Sequence, residues 1–172
     1  MSARPPNKLI LGLIGRKRAG KDTLCRILQS WYPEAVRIAI ADPLKEDIAR
    51  RFDVTLADIE RDKELWRPVL QWWGDMRRPY WTAKAFLRME TADTRLVVVT
   101  DARYPDQFDL IRAKGGLLIR VERPSIGGPP DLHASETNVD GVKEDLAVWN
   151  PGDATFASHL GELKGLLERR LK

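Results

Sequence analysis

A lysine that follows two glycines at a fixed spacing is the strongest chemical feature of the sequence. Gly15 and Gly20 are separated by four residues, and Lys21 comes directly after them. Because glycine adopts positive φ at no steric cost, successive backbone N–H groups can converge on one anion. Lys21 adds a positive charge suited to β- and γ-phosphates. The spacing predicts a phosphate-binding loop made of Gly15, Arg16, Lys17, Arg18, Ala19, Gly20, Lys21, Asp22 and Thr23.

The elements on either side of this loop are those that a phosphate loop requires. The apolar, β-favouring run from Lys8 to Ile14 predicts a buried strand before it. Leu24, Ile27 and Leu28 recur at helical spacing after it. A helix that starts at the loop directs its partly positive N-terminus at the bound phosphate. We therefore expect a strand, a phosphate loop and a helix in succession.

Two oxygen-bearing side chains of the loop are candidate magnesium ligands. Asp22 stands where phosphate loops usually carry a hydroxyl residue, and the hydroxyl is displaced to Thr23. A carboxylate can hold magnesium through a bound water, and a hydroxyl can contact phosphate or metal, so both assignments stay open. The run from Arg16 to Arg18 either reaches the transferred phosphate group or forms a solvated basic turn.

Charged side chains follow two further predicted strands. The first strand is Ala35 to Ala41, followed by Asp42 and Lys45 in a new helix; the second is Thr94 to Thr100, followed by Asp101 and Arg103. In open α/β sheets, ligands bind at the carboxyl ends of the strands. Asp101 is thus suited to magnesium and Arg103 to a substrate phosphate. Alternatively, Asp101 caps the helix from Pro105 to Ala113 and pairs with Arg103.

A tryptophan-rich helical region occupies the middle of the chain, from Asp53 to Met89. Its expected helices run from Thr55 to Leu65, with Thr55 and Asp58 arranged as a cap, then through Trp73, then from Pro79, with an interruption between Gly74 and Pro79. The tryptophans are Trp66, Trp72, Trp73 and Trp81. They either form a core or, beside Arg77 and Arg78, provide a wall that holds a planar base and a phosphate.

The remaining pattern completes an α/β domain. Strands are expected at Leu117 to Glu122 and at Asp145 to Trp149, and one terminal helix at Thr155 to Leu171. Five strands alternating with helices predict a parallel sheet. A glycine- and proline-rich loop from Ser125 leads to His133 and Glu136, and it is expected to close over a nucleotide. Spacing alone gives His133 no catalytic role.

Composition restricts the class of protein. With 172 residues, 43% hydrophobic and 31% charged, the chain has the size of one globular domain. A single cysteine, Cys25, indicates a reducing compartment, and no apolar run is long enough to cross a membrane, so we expect the cytoplasm. The net charge of +4 is scattered among nearly as many acids, which favours small phosphorylated ligands over specific nucleic-acid binding.

Several short motifs occur in one order along the chain. They are Gly-x4-Gly-Lys-Asp-Thr at 15–23, Ala-Asp-Pro-Leu-Lys at 41–45, Gln71-x2-Gly74 with Arg77-Arg78 and Tyr80-Trp81, Val99-Thr-Asp101-x-Arg103, Arg123-Pro124 and Asp131-x-His133-x-Ser135-Glu136. This set resembles the deoxynucleoside monophosphate kinases of tailed bacteriophages, within the P-loop nucleoside monophosphate kinase group. The resemblance spans nearly the whole chain. Gln107 stands where related sequences often have an acid.

The resemblance implies a P-loop three-layer α/β sandwich with a five-stranded parallel sheet. One kinase domain, residues 1–172, would have a core (8–41, 94–123 and 144–172), a helical acceptor-binding insertion (about 42–91) and a lid loop (about 124–140). The protein would transfer the γ-phosphoryl group of ATP to a deoxynucleoside monophosphate, with Mg²⁺ as cofactor. It would act in the cytoplasm, the host cytoplasm if it is phage-encoded. A homodimer is a further open expectation.

Roles follow position by position from the same resemblance. The loop amides and Lys21 would hold the ATP phosphates, and Asp101 would support the magnesium ion together with Asp22 or Thr23. The lid would contribute His133 and Glu136. The acceptor side would be lined by Asp42, Lys45, Trp73, Arg77, Arg78 and Arg103. The catalytic set would be Lys21, Arg77, Arg78, Asp101 and Arg103.

Two other functions are compatible with the sequence. One is a P-loop kinase for another acceptor, such as dephospho-coenzyme A. The other is a regulatory protein that binds ATP without transferring phosphate. The arginine pairs favour an anionic acceptor. In-line phosphoryl transfer needs alignment and charge neutralisation rather than covalent chemistry, so no general base is required for a phosphate acceptor.

Overall fold

The computed structural model describes residues 8–124 and 137–172. In chain order the elements are β1 (Leu9–Ile14), α1 (Lys21–Trp31), β2 (Val36–Ile38), α2 (Asp42–Phe52), α3 (Leu56–Arg61), α4 (Lys63–Met76), α5 (Arg78–Thr91), β3 (Leu96–Val99), α6 (Pro105–Ala113), β4 (Leu117–Glu122), β5 (Leu146–Trp149), a 3-10 helix (Ala154–His159) and α7 (Gly161–Arg170). The described residues divide into two compact units. One comprises those of Met1–Arg37 and Ala92–Lys172, and the other is Ile38–Thr91, in the range of the expected insertion.

The first unit is organised around a five-stranded parallel sheet. The strand order is β2-β3-β1-β4-β5, so β1 lies at the centre. In the register of β1 with β3, Gly12 lies opposite Val99; with β4, Ile14 lies opposite Arg120. All six residues of β1 are buried, as expected of a strand covered on both faces. The predicted parallel α/β sheet is therefore confirmed.

Helices cover both faces of this sheet. On one face, Leu11 and Leu13 pack in a core with Leu24 and Leu28 of α1 and with Leu163 of α7. On the other face α6 packs so closely that a Cβ at Gly12 would come within 2.7 Å of the Ile111 side chain. Helix, sheet and helix form the three layers of the predicted sandwich.

The second unit is built from helices α2 to α5. Its core cluster consists of Leu44, Ile48, Ile59 and Trp81. The start of α3 is fixed by a reciprocal cap, in which Asp58 N–H donates to Thr55 Oγ1 at 3.1 Å and Thr55 N–H donates to Asp58 Oδ2 at 3.0 Å. This is the cap that the sequence pattern predicted.

Some predicted boundaries are wrong, for local reasons. The second strand is three residues long rather than seven, because Ala39 N–H donates to Asp42 Oδ2 at 3.1 Å and turns the chain into α2. The N-cap of α2 is Ala41, and Asp42 is the first residue of the helix. The predicted interruption between Gly74 and Pro79 occurs, but it is confined to Arg77, because α4 continues to Met76 and α5 begins at Arg78. A Cβ at Gly74 would come within 3.1 Å of Leu44, so packing explains this glycine.

The predicted single terminal helix is also wrong. Asp153 accepts a hydrogen bond from Thr155 N–H at 2.8 Å and starts a 3-10 helix that ends at His159. An α-helix begins only at Gly161. Phe156, Leu160 and Leu163 are nevertheless buried in the main core, so the apolar stripe that suggested one helix is shared by two elements.

Candidate functional site

The loop between β1 and α1 has the backbone that its glycines predicted. Gly15 has φ +138° and Gly20 has φ +104°, both in the region that side chains disfavour. A Cβ at Gly15 would also lie 2.5 Å from the carbonyl oxygen of Val121 in β4. Arg18 likewise has positive φ, 64°. The loop is thus folded tightly against the neighbouring strand.

Lys21 lies across the inside of this loop. Its side chain is buried with the residue only 8% exposed, and Nζ donates to Gly15 O at 2.6 Å and to Arg16 O at 2.9 Å. Lys21 is also the first residue of α1, where N–H groups lack intrahelical acceptors and favour an anion. An ammonium group and a helix N-terminus therefore meet at the loop.

The two candidate metal ligands next to Lys21 are accessible. The side chain of Asp22 is 78% exposed, and a carboxylate oxygen lies 4.0 Å from Nε of Arg37 on β2. Thr23 Oγ1 accepts a hydrogen bond from Arg26 at 3.4 Å. Sequence reasoning had not identified Arg37, whose charge partly neutralises the loop carboxylate.

Asp101 and Arg103 follow the strand next to β1. The last paired positions of the two strands are Gly12 and Val99, so Asp101 comes two residues after the end of the pairing with β1. The hypothesis that Asp101 caps α6 is wrong. The N-cap is Tyr104, and Gln107 Oε1 accepts the N–H groups of Arg103 at 2.8 Å and Tyr104 at 3.2 Å. The buried Gln107 therefore fixes the turn that carries Arg103.

Two residues to which sequence reasoning assigned no role hold the loop from outside. Asn150, directly after β5, donates from Nδ2 to the Ala19 carbonyl at 2.7 Å. Arg123, directly after β4, donates from Nη1 to the Arg18 carbonyl at 3.4 Å. The available signal was their position, since both follow strands at the edge where Asp101 follows β3.

The segment that returns from the expected lid is anchored to the same unit. Arg16 pairs with Asp140, and Arg120 donates to Glu144 at 2.9 Å and to the Val142 carbonyl at 2.5 Å. The hydrogen bond from Arg120 lowers the pKa of Glu144 below its usual range. The predicted lid residues His133 and Glu136 lie outside the described residues.

The predicted acceptor residues belong to the second unit, apart from Arg103. Lys45 forms an ion pair with Glu60, which also binds Lys63 at 3.1 Å. Burial raises the pKa of Glu60, but its hydrogen bonds and charge pairing with the two lysines lower it overall. Lys45 is therefore already neutralised, and an incoming phosphate would have to compete with Glu60. A carboxylate oxygen of Asp42 accepts a hydrogen bond from the Ala39 N–H.

Trp73 lies at the border of the helical core. It is half-buried and packs against the cluster of Leu44, Ile48, Ile59 and Trp81. The Arg51 guanidinium lies 5.1 Å from the centre of its ring, and Arg51 also binds Asp47 at 2.8 Å. One ring face is thus occupied by a cation.

The two predicted acceptor arginines differ in environment. Arg77 is exposed at the junction of α4 and α5, with its guanidinium 4.6 Å from the Tyr80 ring centre and 6.0 Å from that of Trp81. Lys84 approaches the same Tyr80 ring at 4.8 Å. Arg78 is half-buried. Arg77, Tyr80 and Lys84 form an exposed cationic and aromatic patch that is suited to an anionic aromatic ligand.

Comparisons with known proteins agree with this architecture. No family model matches the chain. A protein of Acanthamoeba polyphaga mimivirus named as a putative deoxynucleotide monophosphate kinase is 27% identical over 175 residues, covering 83% of this chain and 88% of the relative. Shikimate kinase from Aquifex aeolicus superposes with a TM-score of 0.53 at 16% identity, covering 94% of this chain and 97% of that one. APS kinase CysC from Mycobacterium tuberculosis superposes with a TM-score of 0.51 at 17% identity, covering 95% of this chain and 99% of that one.

These structural similarities identify the fold. Both solved structures match over nearly their full length, so the α/β fold is that of small P-loop kinases. The mimivirus relative confirms the resemblance to deoxynucleotide monophosphate kinases, and it carries no information on a bacteriophage origin. Among the described residues, no helix is long and apolar enough to span a bilayer. The chain therefore has the fold of the P-loop kinases and is similar over most of its length to a protein named as a putative deoxynucleotide monophosphate kinase.

Proposed function

We propose that the protein is an ATP-dependent kinase that phosphorylates a deoxynucleoside 5'-monophosphate to the diphosphate. The observation that carries this proposal is the buried Lys21, whose Nζ binds the Gly15 and Arg16 carbonyls within a glycine-bounded loop at a helix N-terminus. Such a loop binds phosphate through backbone N–H groups. The name of the mimivirus relative supports the choice of acceptor.

The donor side neutralises the triphosphate. Lys21 supplies a charge close to the loop backbone, and the first turn of α1 supplies N–H groups and the positive end of the helix dipole. Arg16 and Lys17 lie on the same loop. Lys21 and the first turn of α1 are held in place before the substrate arrives, so they would stabilise the charge that develops during transfer with little reorganisation.

The acceptor side needs binding and alignment rather than proton abstraction. The phosphate oxygen of a monophosphate is already an anionic nucleophile, so the protein has only to bring it in line with the γ-phosphate. Arg77, Arg78, Lys45 and Arg103 are the residues proposed to bind that phosphate. Arginine suits this task because its planar guanidinium can bind two phosphate oxygens at once.

Magnesium is the proposed cofactor, and the residues present fit it. Mg²⁺ prefers oxygen ligands and is usually held by one or two carboxylates together with substrate phosphates. Asp22 offers an exposed carboxylate and Thr23 a hydroxyl beside Lys21, and Asp101 follows the neighbouring strand. Bound there, the ion would neutralise phosphate charge during transfer.

The test is ADP production by the purified protein with ATP and Mg²⁺. The acceptor panel contains the four common deoxynucleoside monophosphates, the matching ribonucleotides and dephospho-coenzyme A. Turnover with at least one deoxynucleotide, well above the ATP-only background, supports the proposal. Turnover with dephospho-coenzyme A alone would identify a kinase for another acceptor. ATP binding without turnover on any acceptor would identify a nucleotide-binding regulator.

A further inference from the structure

Asn150 is a buried polar residue whose hydrogen bonds connect β5 to the phosphate loop. It is 4% exposed, and its side chain amide donates to Ala19 O at 2.7 Å. Its side chain oxygen accepts the N–H of Gly152 at 2.9 Å. Its own N–H donates to Glu122 O at 2.7 Å and thereby extends the pairing with β4. Both ends of the amide are engaged, so its orientation is fixed.

The same side chain lies against the second glycine of the loop. A Cβ at Gly20 would lie 2.1 Å from Nδ2 of Asn150. Only glycine fits at position 20, for two reasons. Its φ is +104°, and the Asn150 amide occupies the space that a side chain would need. The Asn150 side chain and the phosphate loop therefore pack directly against each other.

The bond to Ala19 determines where the following N–H points. In a planar trans peptide, the carbonyl and the next N–H point in opposite directions. Because Asn150 holds the Ala19 carbonyl, the Gly20 N–H is directed away from Asn150, next to the start of α1. Lys21 similarly holds the Gly15 and Arg16 carbonyls. The loop carbonyls are thus bound by side chains.

We propose that Asn150 is a positioning residue for the nucleotide phosphates, acting through the Ala19–Gly20 peptide; this rests on the proposed function, since the ligand is the ATP triphosphate. Asn150 does not touch the phosphates. It holds the peptide in the orientation in which the loop binds them. Without it, the Ala19 carbonyl can rotate inward, where its partial negative charge opposes an anion.

Asn150→Asp is the sharpest test because it preserves shape. The introduced carboxylate still accepts from Gly152 but cannot donate to Ala19, and it faces a carbonyl oxygen. The matched control is Gln29→Glu. Gln29 also donates a side chain amide to a carbonyl, Ala35 O, at 3.2 Å, but near the far end of α1. Asn150→Ala serves as a second variant that adds no charge.

The measurements are ATP affinity by titration without acceptor, and KM and kcat with acceptor. We expect both Asn150 variants to weaken ATP binding by roughly tenfold to a hundredfold, the range for leaving a buried polar group unsatisfied. The KM for the acceptor stays unchanged, and Gln29→Glu stays within about twofold of the wild type. A variant that only loses folded protein would lower kcat and leave both KM values alone.

A pH series provides a second readout for Asn150→Asp. A protonated carboxyl group can donate a hydrogen bond, and burial raises a carboxyl pKa. Relative to the wild type, the ATP affinity of Asn150→Asp should recover as pH falls from 8 toward 5, whereas that of Asn150→Ala should not. Loss of folded protein alone would change the active fraction rather than the dissociation constant for ATP, so thermal unfolding measured at each pH separates it from this recovery.

The outcomes separate this proposal from the proposed function. Unchanged ATP affinity in both Asn150 variants overturns the positioning role even if the wild type is a kinase. A wild type that binds ATP without turnover defeats the kinase proposal, while the affinity series still tests Asn150. A wild type that does not bind ATP overturns both.

Discussion

Arg16 of the phosphate loop binds both carboxylate oxygens of Asp140, Nε to Oδ1 at 3.2 Å and Nη2 to Oδ2 at 2.8 Å. Asp140 lies close to the end of the expected lid, so this ion pair joins the loop to the returning segment. Both side chains are about half exposed, 60% and 46%. An exposed pair contributes at most about 1 kcal/mol, so a triphosphate can compete for Arg16.

Asp140→Asn should therefore tighten ATP binding. Without the Asp140 carboxylate, Arg16 is available to the triphosphate. The affinity for ATP should rise roughly two- to fivefold, which corresponds to the free energy of one exposed ion pair. The gain should shrink at high salt, where surface charges are screened. Titration of ATP at low and high ionic strength checks this, with Arg16→Ala as the opposite control. Weaker binding in Asp140→Asn would mean that the pair orders the loop instead.

Lys21→Ala should retain the fold and lose activity. Removing one preorganised positive donor is expected to lower turnover by about a hundredfold to a thousandfold or more. Lys17→Ala is the comparison within the same loop, and it should lose less activity because Lys17 is half-exposed rather than buried. Initial rates of ADP formation and thermal unfolding are measured together. Near-normal activity in Lys21→Ala would exclude the loop as the donor site.

The phosphate loop was predictable because glycine spacing and flanking hydrophobicity are local signals. The strand before the loop, the helix after it and the positive φ of Gly15 and Gly20 all occur as expected. The central strands were found for the same reason, since a strand buried on both faces is continuously apolar. Boundaries failed where one side chain bond decided them, as Asp42 does for β2 and Asp153 for the last helices.

The contacts that hold the site together could not be read in the same way. Asn150 and Ala19 are 131 positions apart, and Arg16 and Asp140 are 124 apart. Only the parallel sheet brings them together, and hydrophobic periodicity contains no information on such pairs. The tryptophans of the helical region show the same limit. Their number is compatible with both a core and a ligand-binding wall, and only the structure shows that Trp73 packs against Leu44 and Ile48.

Gly15→Ala should destabilise the protein by more than about 2 kcal/mol. A side chain at φ +138° is strained, and its Cβ would lie 2.5 Å from a strand carbonyl that cannot easily move. For a chain of this size, that corresponds to a loss of about 5 °C or more in melting temperature. Gly161→Ala is the control, since a Cβ there meets nothing within 4 Å. Equal melting temperatures for the two variants would contradict the loop geometry.

Asp47 should make the second unit sensitive to acid. It is 8% exposed and binds Arg50 at 3.0 Å and Arg51 at 2.8 Å; the hydrogen bond from Arg51 is the main cause that lowers the pKa of its carboxyl group. A carboxylate whose pKa is lower in the folded state stabilises the folded protein at pH values above its unfolded-state pKa of about 3.9. This stabilisation is lost as the pH falls through the folded-state pKa.

Asp47→Asn should thus be less stable than the wild type by about 1 kcal/mol at pH 7, since its arginine partners are half-exposed or more. The difference between the two proteins should narrow as pH falls below about 4. Chemical unfolding at pH 7, 5, 4 and 3 measures it, and Asp109→Asn, at an exposed site on α6, provides the control. A difference that stays constant with pH would argue against an ionised Asp47.

Arg77→Ala should raise the KM for the acceptor by about tenfold or more and leave the KM for ATP unchanged. A hydrogen bond from a charged group to phosphate contributes about 1.5–3 kcal/mol. The Arg77 guanidinium is exposed and lies beside the Tyr80 ring. The control is Arg61→Ala in the same unit, where the guanidinium binds Asp58 and Asp62. Steady-state kinetics with each substrate varied in turn separates the two KM values. If both rise together, or if Arg61→Ala has the same effect, Arg77 has no specific role in binding the acceptor phosphate.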